Sequence, residues 1–170
     1  MLDLRVARAE STDEQVIADL LQQYIKELEA YEPTEQTNDG GFSYAFLSAY
    51  WVDPDRHPFL FTVDGNVAGF ALVRNGSEFA EEGPVMEMAE FFVLPAYRRL
   101  GIGRTAANHL FTTFAGEWVV SVVQGNDPAQ AFWSRAISAP FGSALRKTEV
   151  RHRERDWIVW RFRSYGPEPA

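Results

Sequence analysis

Residues 85–123 constrain the fold more than any other part of the chain. Val85 to Leu94 has the pattern of a long strand and runs into Pro95. A basic, glycine-containing turn follows, then a helix with Gly103, Ala106, Ala107, Leu110, Phe111 and Phe114 along one face. Trp118 to Val123 is a continuous apolar run, as expected of a strand buried on both sides. A strand, a crossover helix and a strand in this order are parallel and right-handed. The rest of the chain has to fit round that parallel pair.

The flanking segments supply antiparallel partners. Leu2 to Ala7 reads as a short strand. Thr12 and Gln15 are spaced as a capping box, ahead of Val16, Ile17, Leu20, Leu21, Tyr24 and Leu28 at helical spacing. Residues 33–42 are loop-like, and residues 44–50 suit a second short helix. Residues 59–63 and 67–74 form a hairpin round Asp64-Gly65-Asn66. Asp127 suits the N-cap and Pro128 the first position of a further helix. Strands over 144–150 and 157–162, joined by a charged turn, complete the order β-α-α-β-β-β-α-β-α-β-β. The expectation is one α/β domain over residues 1–163, with a mixed, mostly antiparallel sheet of six or seven strands and about four helices. Residues 164–170 read as a frayed tail.

Composition removes several classes of function. There are 24 acids against 16 bases, a net charge of −8, which suits neither nucleic acid nor an anionic membrane. The chain has no cysteine, so disulfides, thiolate metal sites and a cysteine nucleophile are excluded. His57, His109 and His152 are scattered without ligand spacing, and no metal is expected. No run approaches about 18 apolar residues, so no membrane span is expected and the default location is cytoplasmic.

The chemistry concentrates in Glu90 to Ala107, EFFVLPAYRRLGIGRTAA. A helix N-terminus exposes unpaired N–H groups and carries about half a positive charge. Glycines let those amides approach a ligand, and Arg98, Arg99 and Arg104 add formal charge at the same point. Such a turn suits a pyrophosphate. Gly101-Ile102-Gly103-Arg104-Thr105-Ala106 satisfies the dinucleotide fingerprint, but Pro95 to Leu100 separate it from the strand and no acid ends the next strand. A second pattern fits better. Arg98-Arg99-Leu100-Gly101-Ile102-Gly103 matches (R/Q)-x-x-G-x-(G/A), preceded by Val93-Leu94-Pro95-Ala96-Tyr97. Asn126-Asp127-Pro128-Ala129-Gln130-Ala131-Phe132-Trp133 matches N-x-x-A-x-x-F-(Y). With both motifs in order, the chain resembles the GNAT superfamily of N-acetyltransferases.

The resemblance implies a GNAT fold whose central parallel strands splay, and acetyl-CoA as cofactor, its arm lying in the wedge between those strands. It implies backbone bonds to the arm from Phe92, Val93 and Leu94. Arg98, Arg99, Leu100, Gly101, Ile102, Gly103, Arg104 and Thr105 would hold the pyrophosphate. Asn126 and Ala129 would line the other side, with Phe132 and Trp133 packed on the arm. An amide near Val93 or Leu94 would polarise the thioester. Many members carry tyrosine, which protonates the leaving thiolate, where this chain has Trp133. Loss of that proton donor leaves open a CoA-binding sensor or interaction module in place of an enzyme.

The reaction the resemblance implies is attack of a neutral primary amine within a ternary complex. An alkyl amine has a pKa near 10.4, so a base is needed. Glu90, flanked by Ala89 and Phe91, is the candidate. Glu87 is the alternative, three residues back and expected on the opposite face of the strand. Residues 10–39 hold nine acids against Lys26 alone. An acidic wall with Glu27, Tyr31 and Trp51, joined by Phe42 and Tyr44, would suit a cationic small-molecule or peptide amine; a solvated helix face is the competing reading. Seven bases between Arg146 and Arg163 fit a far lip of the CoA site, a surface for an acidic partner, or strand residues facing water. The protein is expected to be a monomer or homodimer.

Overall fold

The computed structural model describes residues 1–167, with Ser143 described by its backbone only. Seven strands form one sheet: β1 (Leu4–Arg8), β2 (Arg56–Val63), β3 (Asn66–Asn75), β4 (Met86–Val93), β5 (Gly116–Val123), β6 (Arg146–His152) and β7 (Arg155–Ser164). Their spatial order is β1-β2-β3-β4-β5-β7-β6, and every pairing is antiparallel except β4 with β5. Helix α1 (Glu14–Leu28) covers one face, packing Ile17, Leu20 and Leu21 on Phe70, Leu72 and Phe92. Helices α2 (Ile102–Thr113) and α3 (Asp127–Phe141) cover the other, over Trp118, Trp160 and Phe162.

Four local expectations change. The second short helix is one 3-10 turn, Ser48–Trp51, preceded by non-helical turn residues from Tyr44 to Leu47. The capping contact before α1 lies earlier than Thr12, with the Asp13 carboxylate accepting the Glu10 N–H at 2.8 Å. Helix α3 begins one residue sooner, with Asn126 as its cap and Asp127 inside it. Ser164 belongs to β7 rather than to a frayed tail: it is buried and its hydroxyl donates to the Phe111 carbonyl. Tyr165 is exposed, and residues 168–170 lie outside the described residues.

The parallel pair governs the site. β4 and β5 pair only at Met86↔Trp118 and Glu87↔Val119. On its other side, β4 shifts register against β3 between Met88 and Glu90, so Ala89 is an extra residue. Such a bulge bends a strand and strengthens its local twist. β4 has already parted from β5 after Glu87, and beyond the bulge it stays zipped to β3 as far as Val93.

Candidate active site

The turn from β4 to α2 presents bare backbone. Gly101 is the N-cap of α2, at φ +81°, and no side chain caps the helix. Thr105 N–H closes the first helical bond, on the Gly101 carbonyl, so Thr105 donates no free amide. The amides of Ile102, Gly103 and Arg104 come before it and are the orphan donors of the first turn. Arg99 is itself left-handed, at φ +62°, which costs a non-glycine residue about 1 kcal/mol. Arg99, Leu100 and Arg104 are exposed, while the Ile102 side chain is buried in the core and offers the site only its backbone. Three amides, two free arginines and an uncapped dipole fit a diphosphate.

The splayed end of β4 presents a second row of backbone groups. Leu94 N–H bonds to Ala68 O, which fixes the phase of the β3–β4 ladder. In an antiparallel ladder alternate residues point both their N–H and C=O at one neighbour. Phe92 and Leu94 therefore face β3, while Phe91 and Val93 face the opening left by β5. Of the three backbone positions expected to face the arm, only Val93 points at the opening. Phe91 joins it, and only the register could identify it.

Glu90 faces away from both, toward α1. Its cross-strand partner is Leu72, and that of Glu87 is Arg74. Leu72 and Arg74 lie two apart on β3 and share a face, so Glu90 and Glu87 share one too. Glu87 was expected on the opposite side; the extra residue, Ala89, resets the alternation. The two acids nevertheless differ. Glu87 is buried and neutralised by the Arg74 guanidinium, and it accepts the Ser77 hydroxyl at 2.7 Å. Glu90 has no ion pair among the described residues, and burial pushes its pKa up to about 7. Tyr24 and Tyr44 hydroxyls, which favour the carboxylate, oppose that rise, and the charges of Glu32 and Glu87 add to it. The residue retains some solvent contact, so a proton can leave.

Four segments build the surroundings of Glu90, called the recess below. Tyr24 comes from α1, its ring set between Phe70 and Phe92 at 5.9 and 5.7 Å. Burial and the nearby Glu90 charge hold its phenol well above the ordinary tyrosine range, so it stays a donor. Gln22 ties down the next loop through both backbone groups of Phe42, at 3.0 and 2.7 Å, and Tyr44 follows. Tyr50 is 1% exposed, its hydroxyl buried beside that of Tyr44 with no well-formed hydrogen bond among the described residues. Glu32 is half-buried; burial raises its pKa and Arg155 pulls it back. Arg155 also donates to the Tyr31 carbonyl, at 3.4 Å, joining the β6–β7 hairpin to the end of α1.

The sequence matches the family described as "Acetyltransferase (GNAT) family" over residues 17–137. The chain belongs to the GNAT acetyltransferase family. The ribosomal-protein-S18-alanine N-acetyltransferase from Escherichia coli has the same fold at 18% identity, with a TM-score of 0.61 over 99% of each chain. Spermidine N-acetyltransferase from Vibrio cholerae, solved with CoA and spermine, aligns at 16% identity and TM-score 0.61 over 94% of this chain and 95% of that one. An acetyltransferase from Thermus thermophilus reaches TM-score 0.63 at 19% identity, over 92% of this chain and 95% of that one. No curated protein sequence matches significantly.

The remaining GNAT motif residues divide by role. Asn126 is buried and caps α3 through its side-chain oxygen, which accepts the Ala129 N–H at 3.3 Å. Its amide NH2 keeps its donors. Phe132 lies against Gly103, where a Cβ would come within 3.1 Å of the ring, and stacks on Phe91 at 5.6 Å. The Gly103 position is therefore fixed by helix packing as well as by its amide. Trp133 is buried among Phe91, Phe111 and Phe132, a core residue of this GNAT domain that brings no hydroxyl to the site.

On the acceptor side, Trp51 packs in the α1-face cluster with its indole N–H committed to Ala9 O at 3.1 Å. Tyr31 contributes its carbonyl to Arg155, and Glu27 is paired with Arg98. Tyr24, Tyr50 and Glu32 are the recess residues that sequence reading did not single out. The one available signal was Tyr24, a polar-tipped residue on an otherwise apolar helix face. Most of the basic residues near the C-terminus are paired internally: Arg146 and Arg161 with Glu81, Arg153 with Glu78, Arg151 with Asp156 and Arg163 with Glu117. Among the described residues, no helix is long and apolar enough to cross a membrane.

Proposed function

We propose that this GNAT enzyme transfers acetyl from acetyl-CoA to a primary amine on a cationic acceptor, by direct attack in a ternary complex. The observation that carries the reading is the parting of β4 from β5 after Glu87, at the approach to the bulge. It exposes Val93 backbone to the wedge and Glu90 to the recess on one short stretch of strand. Structural neighbours act on spermidine and on the alanine of ribosomal protein S18, and both are amines.

Acetyl-CoA, when bound, would supply the acetyl thioester: the neutral amine adds to its carbonyl carbon, the C–S bond then breaks, and the second proton that nitrogen sheds goes through water to the departing thiolate, since Trp133 is no acid. Amides of Ile102, Gly103 and Arg104 hold the diphosphate, with Arg99 and Arg104 adding charge. Val93 N–H, facing the wedge, donates to the carbonyl oxygen as negative charge develops there. Glu90 takes the proton of the incoming ammonium, directly or through one water. A pKa of about 7 leaves it largely ionised at slightly alkaline pH and still a competent base. Glu32, beside Glu90, holds positive charge elsewhere on the acceptor.

The test is CoA release over an amine panel at pH 7–9. Turnover of cationic primary amines supports the reading. Tight acetyl-CoA binding with no turnover on any amine replaces it with the sensor reading that Trp133 permits.

A further inference from the structure

Arg98 opens the glycine motif and is the arginine first expected to reach the phosphates. Its side chain goes elsewhere. Nε donates to the Val93 carbonyl at 2.7 Å. Nη2 contacts both carboxylate oxygens of Glu27 on α1, at 3.0 and 2.9 Å. The guanidinium carbon lies 5.3 Å from the centre of the Phe92 ring.

We propose that Arg98 is a positioning residue that fixes the acyl-binding end of β4 and ties it to α1, and that it is not a ligand of the diphosphate. The Val93 carbonyl faces the wedge, where β5 no longer supplies a partner. Without Arg98 that carbonyl would have only water or ligand to bond. With it, the peptide between Val93 and Leu94 is held at both ends, its carbonyl by Arg98 and its N–H by Ala68 O. The neighbouring peptide carries the Val93 N–H, which points into the wedge one alternation beyond that of Phe91. A charged donor bonded to a carbonyl is a strong restraint, whereas the half-exposed pair with Glu27 adds direction more than energy. Lysine cannot reproduce this, because it lacks the planar fork that reaches a carbonyl, a carboxylate and a ring face together. One guanidinium thus joins the phosphate turn, the acyl strand and the helix that walls the recess.

This inference rests on Val93 as the polarising donor, and its test separates the two ideas. In the ligand-free protein, Arg98→Gln should speed amide hydrogen exchange of residues 91–97 and of the C-terminal half of α1 about tenfold. Arg98→Lys should do nearly the same, and Glu27→Gln should affect α1 alone. Calorimetry should give an acetyl-CoA Kd within threefold of wild type for all three. With the best amine, kcat should fall about thirtyfold in both Arg98 variants and a few-fold in Glu27→Gln. A tenfold weaker Kd with unchanged kcat would make Arg98 a phosphate ligand and overturn the proposal, as would unchanged exchange. Should Arg98→Gln not fold, the lysine and Glu27 variants decide. If wild type turns over no amine, the acetyl-transfer reading fails while the exchange data still judge Arg98.

Discussion

The turn proposed for the diphosphate and the recess proposed for the acceptor lie on either side of β4 and are built in opposite ways. The turn is a run of consecutive residues whose working atoms are backbone amides, left open because nothing caps α2. The nearby α3 start has the same position after a strand, yet it is closed by Asn126 and carries Asp127 in its first turn. The recess instead draws side chains from α1, the loop after it, the 3-10 turn and β4. Its properties come from desolvation and facing charges. A site made of backbone tolerates change outside its few glycines. A site made of gathered side chains is sensitive at each contributor.

The sharpest way to break this contrast is Glu90→Gln. It should lower kcat about a hundredfold and leave acetyl-CoA affinity unchanged, a split read by steady-state kinetics and calorimetry. The wild-type rate should rise with pH through about 7 and level off, and the variant should lose that limb.

Stability should move the other way. The folded pKa of Glu90, about 7, lies above the roughly 4.3 of an unfolded glutamate, so the native state binds the extra proton between those values. The stabilising contribution is complete below the unfolded value and is lost as pH rises through 7. Above pH 7 the ionised carboxylate destabilises the fold by roughly 3–4 kcal/mol. Glu90→Gln should remove that penalty, giving a higher Tm than wild type at pH 8 and no gain at pH 4.

On the turn, Gly101→Ala leaves open space round the new Cβ but strains φ +81°. Acetyl-CoA should bind five- to tenfold more weakly with kcat nearly unchanged, the reverse of the Glu90 pattern. The smallest effect is expected at Glu32. Glu32→Gln should reduce kcat/KM about fivefold for a diamine and hardly at all for an alkyl monoamine of equal length. Equal losses on both would remove Glu32 from acceptor recognition.

The difference between the two sites also explains what could be read in advance. Periodicity and turn chemistry gave the strand, turn and helix of 85–123, because a buried strand and an amphipathic helix announce themselves within ten residues. Motif spacing pointed to Arg99, Gly101, Gly103 and Asn126. Glu90 was reached by its place on the strand. Its face relative to Glu87 was not, because one bulged residue inverts the parity and Ala89 gives no local sign of it. Phe91 in place of Phe92, and Val93 over Leu94, followed from the same register. Tyr24, Glu32 and Tyr50 were out of reach for a different reason: their meaning lies in one another's proximity, across 26 positions of chain from Tyr24 to Tyr50.

The chain's order of apolar runs, glycines and arginines determined by itself that a parallel strand pair would end in an open, basic helix start. Local sterics and backbone hydrogen bonding suffice for that. Only the folded sheet decided which backbone groups face the wedge, which carboxylate is left unpaired, and that the Arg98 side chain bonds Val93 and Glu27. Those outcomes depend on register, on burial and on charges brought together from distant segments, and none of these is a property of any short stretch of sequence.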